Sequence, residues 1–541
     1  MKKFIGTFTL ILATILSAGA QSVTEIGGEM IGAANMKPSD AARYSQTEHS
    51  YMTSRVAAMG GAFTSLGADL STMSINPAGL GMYRSSEASI SGSFVNTNAS
   101  NSFAPNGSTM GRMSINSAGV ALNLFQSSGS LVSVTFGFAY NKLADLNYNQ
   151  SYSMGDHNKS IADFFAEQLY RLSQGSLGAS AGAFNNSDIR VDKWGGVLAY
   201  QTQLIEGINS DPATYEYAIP ALGADAVIRP KMNLSSLGSV GEYALSSGFN
   251  LGNKLYVGFT LGIQDIYQSI EYRYSETYDH QLGAGVDEGG YLRSTVYKPY
   301  EESVGTGVNF KIGAIWRPFG GLRLGIAYHT PTAVALNRKY YVSMDTAFND
   351  GVSNSASSLT NSYTYNYNSP SKLLFGASYA IGSRAILSFD YDLVGYNGMR
   401  LTGEDYDYEE SFRSDVEADY GKATNLRAGI EIRPTKSLYL RGGYALYGSP
   451  YKSAVDNDSE VVFYANNKKS TEVLSLGLGL RMQSGSTIDL AFLRSTAKYT
   501  NYLLYSFYYK DASQTITADS PVIKNSKQVR NILTATYSFT F

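Results

Sequence analysis

Across residues 132–140, every even-numbered residue is large and apolar and every odd-numbered one is small or polar. Side chains on a β-strand point alternately to its two faces, so this stretch has one greasy face and one thin polar face. The alternation recurs along the chain. Leu474, Leu476, Leu478, Leu480 and Met482 are interleaved with Ser475, Gly477, Gly479 and Arg481. Leu426, Ala428, Ile430 and Ile432 alternate with Arg427, Gly429, Glu431 and Arg433, and Leu387, Phe389, Tyr391 and Leu393 with Ser388, Asp390 and Asp392. The closing stretch, residues 533–541, sets Thr534, Thr536, Ser538 and Thr540 on its polar face. A soluble sandwich also alternates, but it turns its apolar face inward and carries many charges outside. Here the polar face is Gly, Ser, Thr and isolated charges, as a crowded lumen requires. The fold class this predicts is all-β, a transmembrane antiparallel β-barrel.

Composition and targeting agree with that reading. The chain starts Met1-Lys2-Lys3, runs apolar from Phe4 to Leu16 and reaches Ala18-Gly19-Ala20 before Gln21. A positive tip, a short apolar core and an A-x-A site mark residues 1–20 as a cleavable secretory signal. Cleavage removes two of the 42 basic residues and none of the 45 acidic ones, leaving a formal charge of −5. That gives no basic footprint for nucleic acid. Later segments lack the roughly 18 uninterrupted apolar residues of a membrane helix. Cysteine is absent, which excludes disulfides and thiolate metal sites. The 42 Tyr, 24 Phe and 54 Gly with only 16% charged residues suit a lipid-facing barrel with aromatic girdles.

Loop lengths set the topology. Short turns fall at residues 126–130, 252–254, 318–321, 382–384, 434–436 and 483–485. Long polar connections alternate with them at 98–114, 143–239, 275–290, 345–360, 403–414, 448–470 and 500–526. Short periplasmic turns and longer external loops imply about fourteen strands over residues 85–541, with a long third external loop, 143–239, and both mature termini periplasmic. Residues 21–84 show no two-residue period and are expected to form an N-terminal extension and a hatch within the lumen. Aromatic Phe541, ending an amphipathic last strand, resembles the assembly signal read by the barrel-assembly machinery.

Within that segment run Ala57 to Ala62, Ala68-Asp69 and Asn76-Pro77-Ala78-Gly79-Leu80. Asn76-Pro77 is a turn signal, since the Asn side chain can bond nearby backbone N–H groups. Further on come Leu324-Gly325-Ile326-Ala327-Tyr328-His329-Thr330-Pro331 and Leu438-Tyr439-Leu440-Arg441-Gly442-Gly443-Tyr444. In this order the motifs resemble the FadL/TodX family of outer-membrane transporters for long-chain fatty acids and hydrocarbons, from Ser54 onward. The resemblance implies a hatch-gated channel of fourteen strands in the bacterial outer membrane, with Asn76, Pro77, Ala78 and Gly79 as the hatch motif. It also implies a lateral exit through the third strand, where Gly137 is the residue able to lose ladder regularity. The chain departs from the family in residues 21–51, which have no counterpart, and in its longer third loop.

Candidate ligand contacts follow. Phe164, Phe165, Leu169 and Leu172 lie at helical spacing in the third loop. They form either a loop helix packed on its neighbours or, as the resemblance favours, an apolar groove where a ligand first lands. The lumen-facing charges Arg323, Asp390, Asp392, Arg427, Glu431, Arg433, Arg441 and Asp489 either pair with one another and with the hatch or leave an arginine such as Arg323 or Arg427 to receive a carboxylate. His329, on the polar face, is either a plain polar lining residue, as a lone histidine more often is, or the axial ligand of a haemin-binding barrel. The other histidines, His49, His157 and His280, are scattered. No Ser-His-Asp or paired-carboxylate arrangement is visible and Gly-x-Ser-x-Gly is missing, so the chain is not expected to be an enzyme. No metal site and no cofactor are expected; the expected partners are a hydrophobic small molecule and outer-membrane lipid. The alternatives are a haemin receptor and a barrel scaffold presenting its loops to a partner protein.

Overall fold

The computed structural model describes residues 24–30, 35–156, 160–169, 172, 176–177, 181–185, 189–209, 216–218, 227–279, 290–452, 468–503, 505–510, 516–519 and 522–541. The signal segment 1–20, His157 and His280 lie outside the described residues.

Fourteen antiparallel strands close into one barrel. They are β1 (Glu87–Ser100), β2 (Ser108–Gln126), β3 (Leu131–Asp145, prolonged by Tyr148–Ser153), β4 (Val227–Leu251), β5 (Leu255–Asp279) and β6 (Leu292–Trp316). The next are β7 (Leu322–His329, then Ala333–Phe348), β8 (Asn361–Asn368, then Lys372–Ile381), β9 (Ala385–Gly395, then Arg400–Thr402) and β10 (Lys422–Ile432). The last are β11 (Leu438–Tyr447), β12 (Lys468–Arg481), β13 (Thr487–Leu503) and β14 (Val522–Thr540). Strand β14 pairs with β1 from Glu87↔Thr540 to Ser100↔Lys527, which closes the ring. Closure removes the free edges that hydrocarbon does not tolerate, except where β2 and β3 part beyond Ser117↔Asn141.

Alternation governs which side chains go where. Phe136 and Phe138 on β3 point outward, whereas Ser133, Thr135 and Ala139 point into the lumen and are buried. Ile90, Phe94, Leu245, Leu261, Leu476 and Phe492 continue the outward apolar band. The barrel is therefore an outer-membrane protein, with its short turns at the periplasmic end and its long loops outside.

Strands β4, β5 and β6 run for 25 residues each, more than twice the 9–11 needed to cross. Residues 227–239, expected to be loop, thus belong to β4. The excess stands outside the membrane and supports a cap built on α4 (Ile161–Gln168) and α5 (Trp194–Gln201). An external helix, α6 (Tyr406–Asp419), lies on the loop between β9 and β10.

The chain ahead of β1 fills the lumen. It comprises α1 (Pro38–Tyr44), a 3-10 turn His49–Tyr51, α2 (Ser54–Ala58), α3 (Thr72–Ile75) and a 3-10 turn Pro77–Met82. One expectation needs correction here. Phe541 does lie at the periplasmic end, where its backbone bonds reciprocally with Ser86. The first described strand, Thr24–Met30, instead pairs with Tyr505–Lys510 of the last external loop. Residues 24–30 thus lie outside, and residues 35–48 lie in the lumen above the hatch.

Candidate functional site

The hatch is held by its own turns. Thr53 caps α2 by accepting from the Val56 N–H, and its hydroxyl donates to Asp69 at 2.9 Å. Asp69 also accepts from the Ser71 N–H at 2.9 Å. The Asn76 carboxamide oxygen accepts from the Ala78 N–H at 3.1 Å, as the turn signal predicts. Its nitrogen donates to the Thr64 carbonyl at 2.6 Å and lies 3.3 Å from the carbonyls of Ala314 and Ile326 on β6 and β7. The motif thus ties two hatch segments to two strands of the wall.

Where the hatch meets the wall, nine strands present an inward glycine: Gly137, Gly248, Gly258, Gly313, Gly325, Gly376, Gly429, Gly443 and Gly477. A Cβ on Gly258 would stand 2.2 Å from the carbonyl carbon of Pro77, and one on Gly443 only 2.1 Å from the nitrogen of Gly60. The hatch backbone lies flush against a girdle of missing side chains, and only glycine permits that approach.

Gly137 belongs to this girdle, which corrects its expected role. It is paired with Ala121 on β2 and with Ser246 on β4, in unbroken ladder on both sides. The tip of Met73 takes the place where its side chain would be. The ladder breaks further out instead. Pairing of β2 with β3 ends at Ser117↔Asn141. Beyond that point β2 pairs with β1 and β3 with β4. A register shift between Lys142 and Ala144 turns Lys142 inward, so that its ammonium meets Asp145 at 2.5 Å with both side chains at most 2% exposed. Side chains bridge the seam. Lys142 donates to Ser114 at 3.1 Å, Ser117 to Asn141 at 2.8 Å, and Asn101 to the Ser151 carbonyl at 3.2 Å. Tyr51 of the hatch places its ring 5.1 Å from the Lys142 ammonium. Met113 and Ile115 on the outer face of β2 beside the seam are strongly exposed toward lipid.

Two cavities lie above the hatch. The first, about 910 Å³ of space partly open to solvent, is lined by Glu242, Gln264, Asn309, Lys311, His329, Lys372 and Asp392 together with residues 45–49. Its lining is largely polar. Lys311 is paired with Glu242. Lys372 is different: its ammonium donates only to neutral acceptors, the Ser45 carbonyl at 3.1 Å and the Thr47 hydroxyl at 2.5 Å, and no carboxylate among the described residues pairs with it. The second cavity, about 1170 Å³, is lined by Arg43, Glu48, Asp145, Tyr148, Gln150, Lys527 and Arg530 among others and lies against the inner side of β1, β3 and β14.

The expected ligand contacts fall elsewhere. Phe164, Phe165 and Leu169 are at most 3% exposed in the core of the external cap, and Leu172 packs on its margin. Phe165 meets Tyr297 edge-on at 5.2 Å. Buried Glu276 fixes the start of α4 by accepting from Ser160 at 2.5 Å and from the Ile161 N–H at 2.8 Å. These apolar side chains are the core of a folded cap and form no open groove. Arg427 is spent as well: it pairs with both Asp390, at 3.3 Å, and Asp392. Arg441 likewise joins Glu431 and Asp489, and Arg55 of the hatch reaches Glu431 at 3.2 Å. Arg323, near the periplasmic end of β7, has no hydrogen bond or ion pair among the described residues, but it lines neither cavity.

The two described histidines, His49 and His329, do not fit haem. His329 Nε2 donates to the Ile75 carbonyl at 2.8 Å, and Nδ1 of His49 is 3.2 Å from the Gly61 carbonyl. Burial, with Arg427 nearby, holds His49 well below its ordinary pKa. Sequence reasoning missed Lys142, Lys372 and the Asp40–Arg338 pair, which joins α1 to β7 at 2.9 Å. A lysine in the lipid-facing register at position 142 was the signal available for the seam.

No family model and no curated protein matches the chain. Among solved structures it is similar to a Pseudomonas aeruginosa FadL homologue, with 13% identity and a TM-score of 0.47 over 94% of this chain and 99% of that one. It is also similar to the Pseudomonas putida toluene transporter TodX, with 12% identity and a TM-score of 0.47 over 90% and 97% of the two chains. The Ralstonia pickettii toluene transporter TbuX gives 14% identity and a TM-score of 0.45 over 91% and 98%. At these values the likeness is one of fold alone.

Proposed function

We propose that this barrel admits hydrophobic small molecules passively across the outer membrane, with long-chain fatty acids as the ligand class, and that they pass between bilayer and lumen at the β2–β3 seam. The observation that carries the reading is a plugged lumen combined with a wall left unladdered beyond Ser117 and Asn141. A plug bars water-soluble solutes, whereas a seam at membrane depth serves molecules already dissolved in lipid. Lys372 supports a carboxylate over a plain hydrocarbon, because an ammonium binds an ionised acceptor about twice as strongly as a neutral one. The hatch motif would hold the periplasmic end closed, and the seam residues Lys142, Asp145 and Ser114 would stand in for Gly137 as the lateral gate.

The test is oleate binding to purified barrel together with oleate uptake in a strain lacking its own transporter. A Ser117→Cys/Asn141→Cys disulfide should preserve the fold and block uptake while oxidised, since the two residues are directly opposed strand partners. If the wild-type protein neither binds oleate nor restores uptake, the fatty-acid reading fails. The folded external cap then favours a scaffold that presents a rigid surface to a partner.

A further inference from the structure

Residues 35–48 occupy the lumen between hatch and cap. Residues 46 and 48 line both cavities, so this stretch is the partition between them. Its attachment differs in kind from that of the hatch. The hatch lies on the wall backbone against glycine backbone, with no free space. Residues 35–48 bury Met36 and Tyr44 as their two large apolar side chains and are otherwise held by polar side chains reaching in from the barrel. Asp40 pairs with Arg338 at 2.9 Å, and Arg338 also donates to the Asn35 carbonyl at 3.0 Å. Lys372 holds the Ser45 carbonyl, and Tyr408 of α6 donates to the Met36 carbonyl at 2.7 Å. One backbone bond, from Glu48 N–H to the Leu143 carbonyl at 2.8 Å, joins the segment to the end of β3. Cavities on both sides leave room for it to move.

The wall is also prepared for its departure. A buried arginine that loses its only carboxylate is strongly disfavoured. Glu301 lies on β6, whose register sets Glu301 opposite Tyr340 and Ser303 opposite Arg338. Glu301 and Arg338 are therefore diagonal neighbours on the lumen face, both buried, within reach of long side chains. Among the described residues Glu301 forms no ion pair of its own. It can take over Arg338 when Asp40 leaves.

We propose that residues 35–48 form a second plug, distinct from the hatch, which closes the lumen from the outside and is latched by Asp40–Arg338, with Glu301 as the partner Arg338 adopts when the plug is out. The inference does not depend on what the barrel transports.

The chain contains no cysteine, so a single engineered thiol reports lumen access cleanly. Gln264→Cys places it in the first cavity. The reagent is a membrane-impermeant maleimide added to intact cells with no fatty acid present. With the latch intact, labelling should be slow; adding Asp40→Asn should raise its rate at least about tenfold, because a lost buried pair is worth more than that ratio. Equal rates in the two backgrounds, fast or slow, overturn the plug, provided that heat-modifiable mobility shows both barrels folded. The exchange is read separately. Asp40→Asn alone should leave the barrel's melting temperature near wild type, while Asp40→Asn with Glu301→Gln should lower it; identical melting of the two variants overturns the role of Glu301. Because no ligand is used, failure of oleate uptake and failure of the plug are independent results.

Discussion

Replacing Gly258 by alanine should separate the hatch from the wall, and the structure says by how much. The new Cβ would meet the Pro77 carbonyl carbon at 2.2 Å, its oxygen at 2.3 Å and the Ala78 nitrogen at 2.5 Å, whereas ordinary contact begins at 3.4 Å. The backbone must retreat by about 1.2 Å, and no side chain can yield in its place. On the other side of the same turn, Asn76 is bonded to the Thr64 carbonyl and lies against those of Ala314 and Ile326, so the retreat also stretches those contacts. Overpacking costs roughly 1–3 kcal/mol, and each strained hydrogen bond adds about 1 kcal/mol. A loss of about 3 kcal/mol or more is expected. Gly137→Ala is the control. Its Cβ would also meet an atom at 2.2 Å, but that atom is the terminal methyl of Met73. A methionine tip swings aside through three rotatable bonds, so the cost should stay below about 1 kcal/mol.

The assay is urea unfolding of folded barrel in lipid vesicles, followed by intrinsic fluorescence, with limited proteolysis reporting whether the hatch has come loose. Gly258→Ala should unfold at lower urea and expose the hatch to protease, while Gly137→Ala should track wild type. If the two alanines cost the same, or if Gly258→Ala is neutral, the hatch does not rest on a glycine girdle and the reasoning is refuted.

Four further outcomes are expected. Lys142→Met should cost roughly 3–5 kcal/mol by leaving Asp145 buried without its ammonium, and Lys142→Met/Asp145→Leu should recover most of it, read as urea midpoints. Burial alone would raise the pKa of Asp40, but Arg338 and Arg43 outweigh it and hold the carboxyl below its ordinary value. The latch is then fully present above the unfolded value of about 3.9 and is lost only as pH falls through the lowered one, so the ratio of Gln264→Cys labelling rates with and without Asp40→Asn, in which the thiol's own ionisation cancels, should be flat between about pH 5 and pH 8. Glu276→Gln should loosen the cap, because an amide has one acceptor oxygen where the carboxyl group uses two to hold Ser160 and the Ile161 N–H, and proteolysis within residues 160–209 should quicken while the barrel stays heat-modifiable. Deleting Phe541 should cut membrane insertion far more than deleting Gln21, since it removes the bonds with Ser86 that close the last strand on the first; equal insertion of the two would refute this.

The barrel was legible because a period of two is written into every strand and the short turns break it at regular intervals. Its strand lengths were not. Residues 227–239 read as loop because Val227–Leu251 continues outside the membrane, where the outward face no longer needs to be greasy. That error hid the cap. Helical spacing of Phe164, Phe165 and Leu169 shows that one face of α4 is apolar but not what covers it. The cover is Met232, Tyr274 and Tyr297 on those same overlong strands. Gly137 was noticed for the right reason, a missing side chain in a bulky strand, and misread because its neighbour Met73 comes from a segment with no periodicity to place it. The charges divided similarly. The sequence showed Asp390, Asp392 and Arg427 on one face, where pairing follows from burial, but Arg338 and Asp40 are 298 positions apart with no pattern linking them.

The two closures of the lumen differ enough in cost to say which one a ligand can operate. A ligand shifts an equilibrium only by its differential affinity for the two states, and micromolar binding makes about 8 kcal/mol available at most. Lifting the hatch would uncover Met52, Val56, Met59, Phe63, Leu66 and Ile75, all buried, and at roughly 1.5–3 kcal/mol each their exposure alone exceeds that amount before the Asn76 bonds are counted. Releasing the outer segment means uncovering two large apolar side chains, Met36 and Tyr44, exchanging Asp40 for Glu301 at Arg338 and giving up the Lys372, Tyr408 and Leu143 bonds, the first of which a ligand carboxylate would itself replace. Parting the seam costs side-chain hydrogen bonds and no strand ladder. The hatch is therefore the fixed floor of this barrel, and its moving parts are the outer plug and the β2–β3 seam.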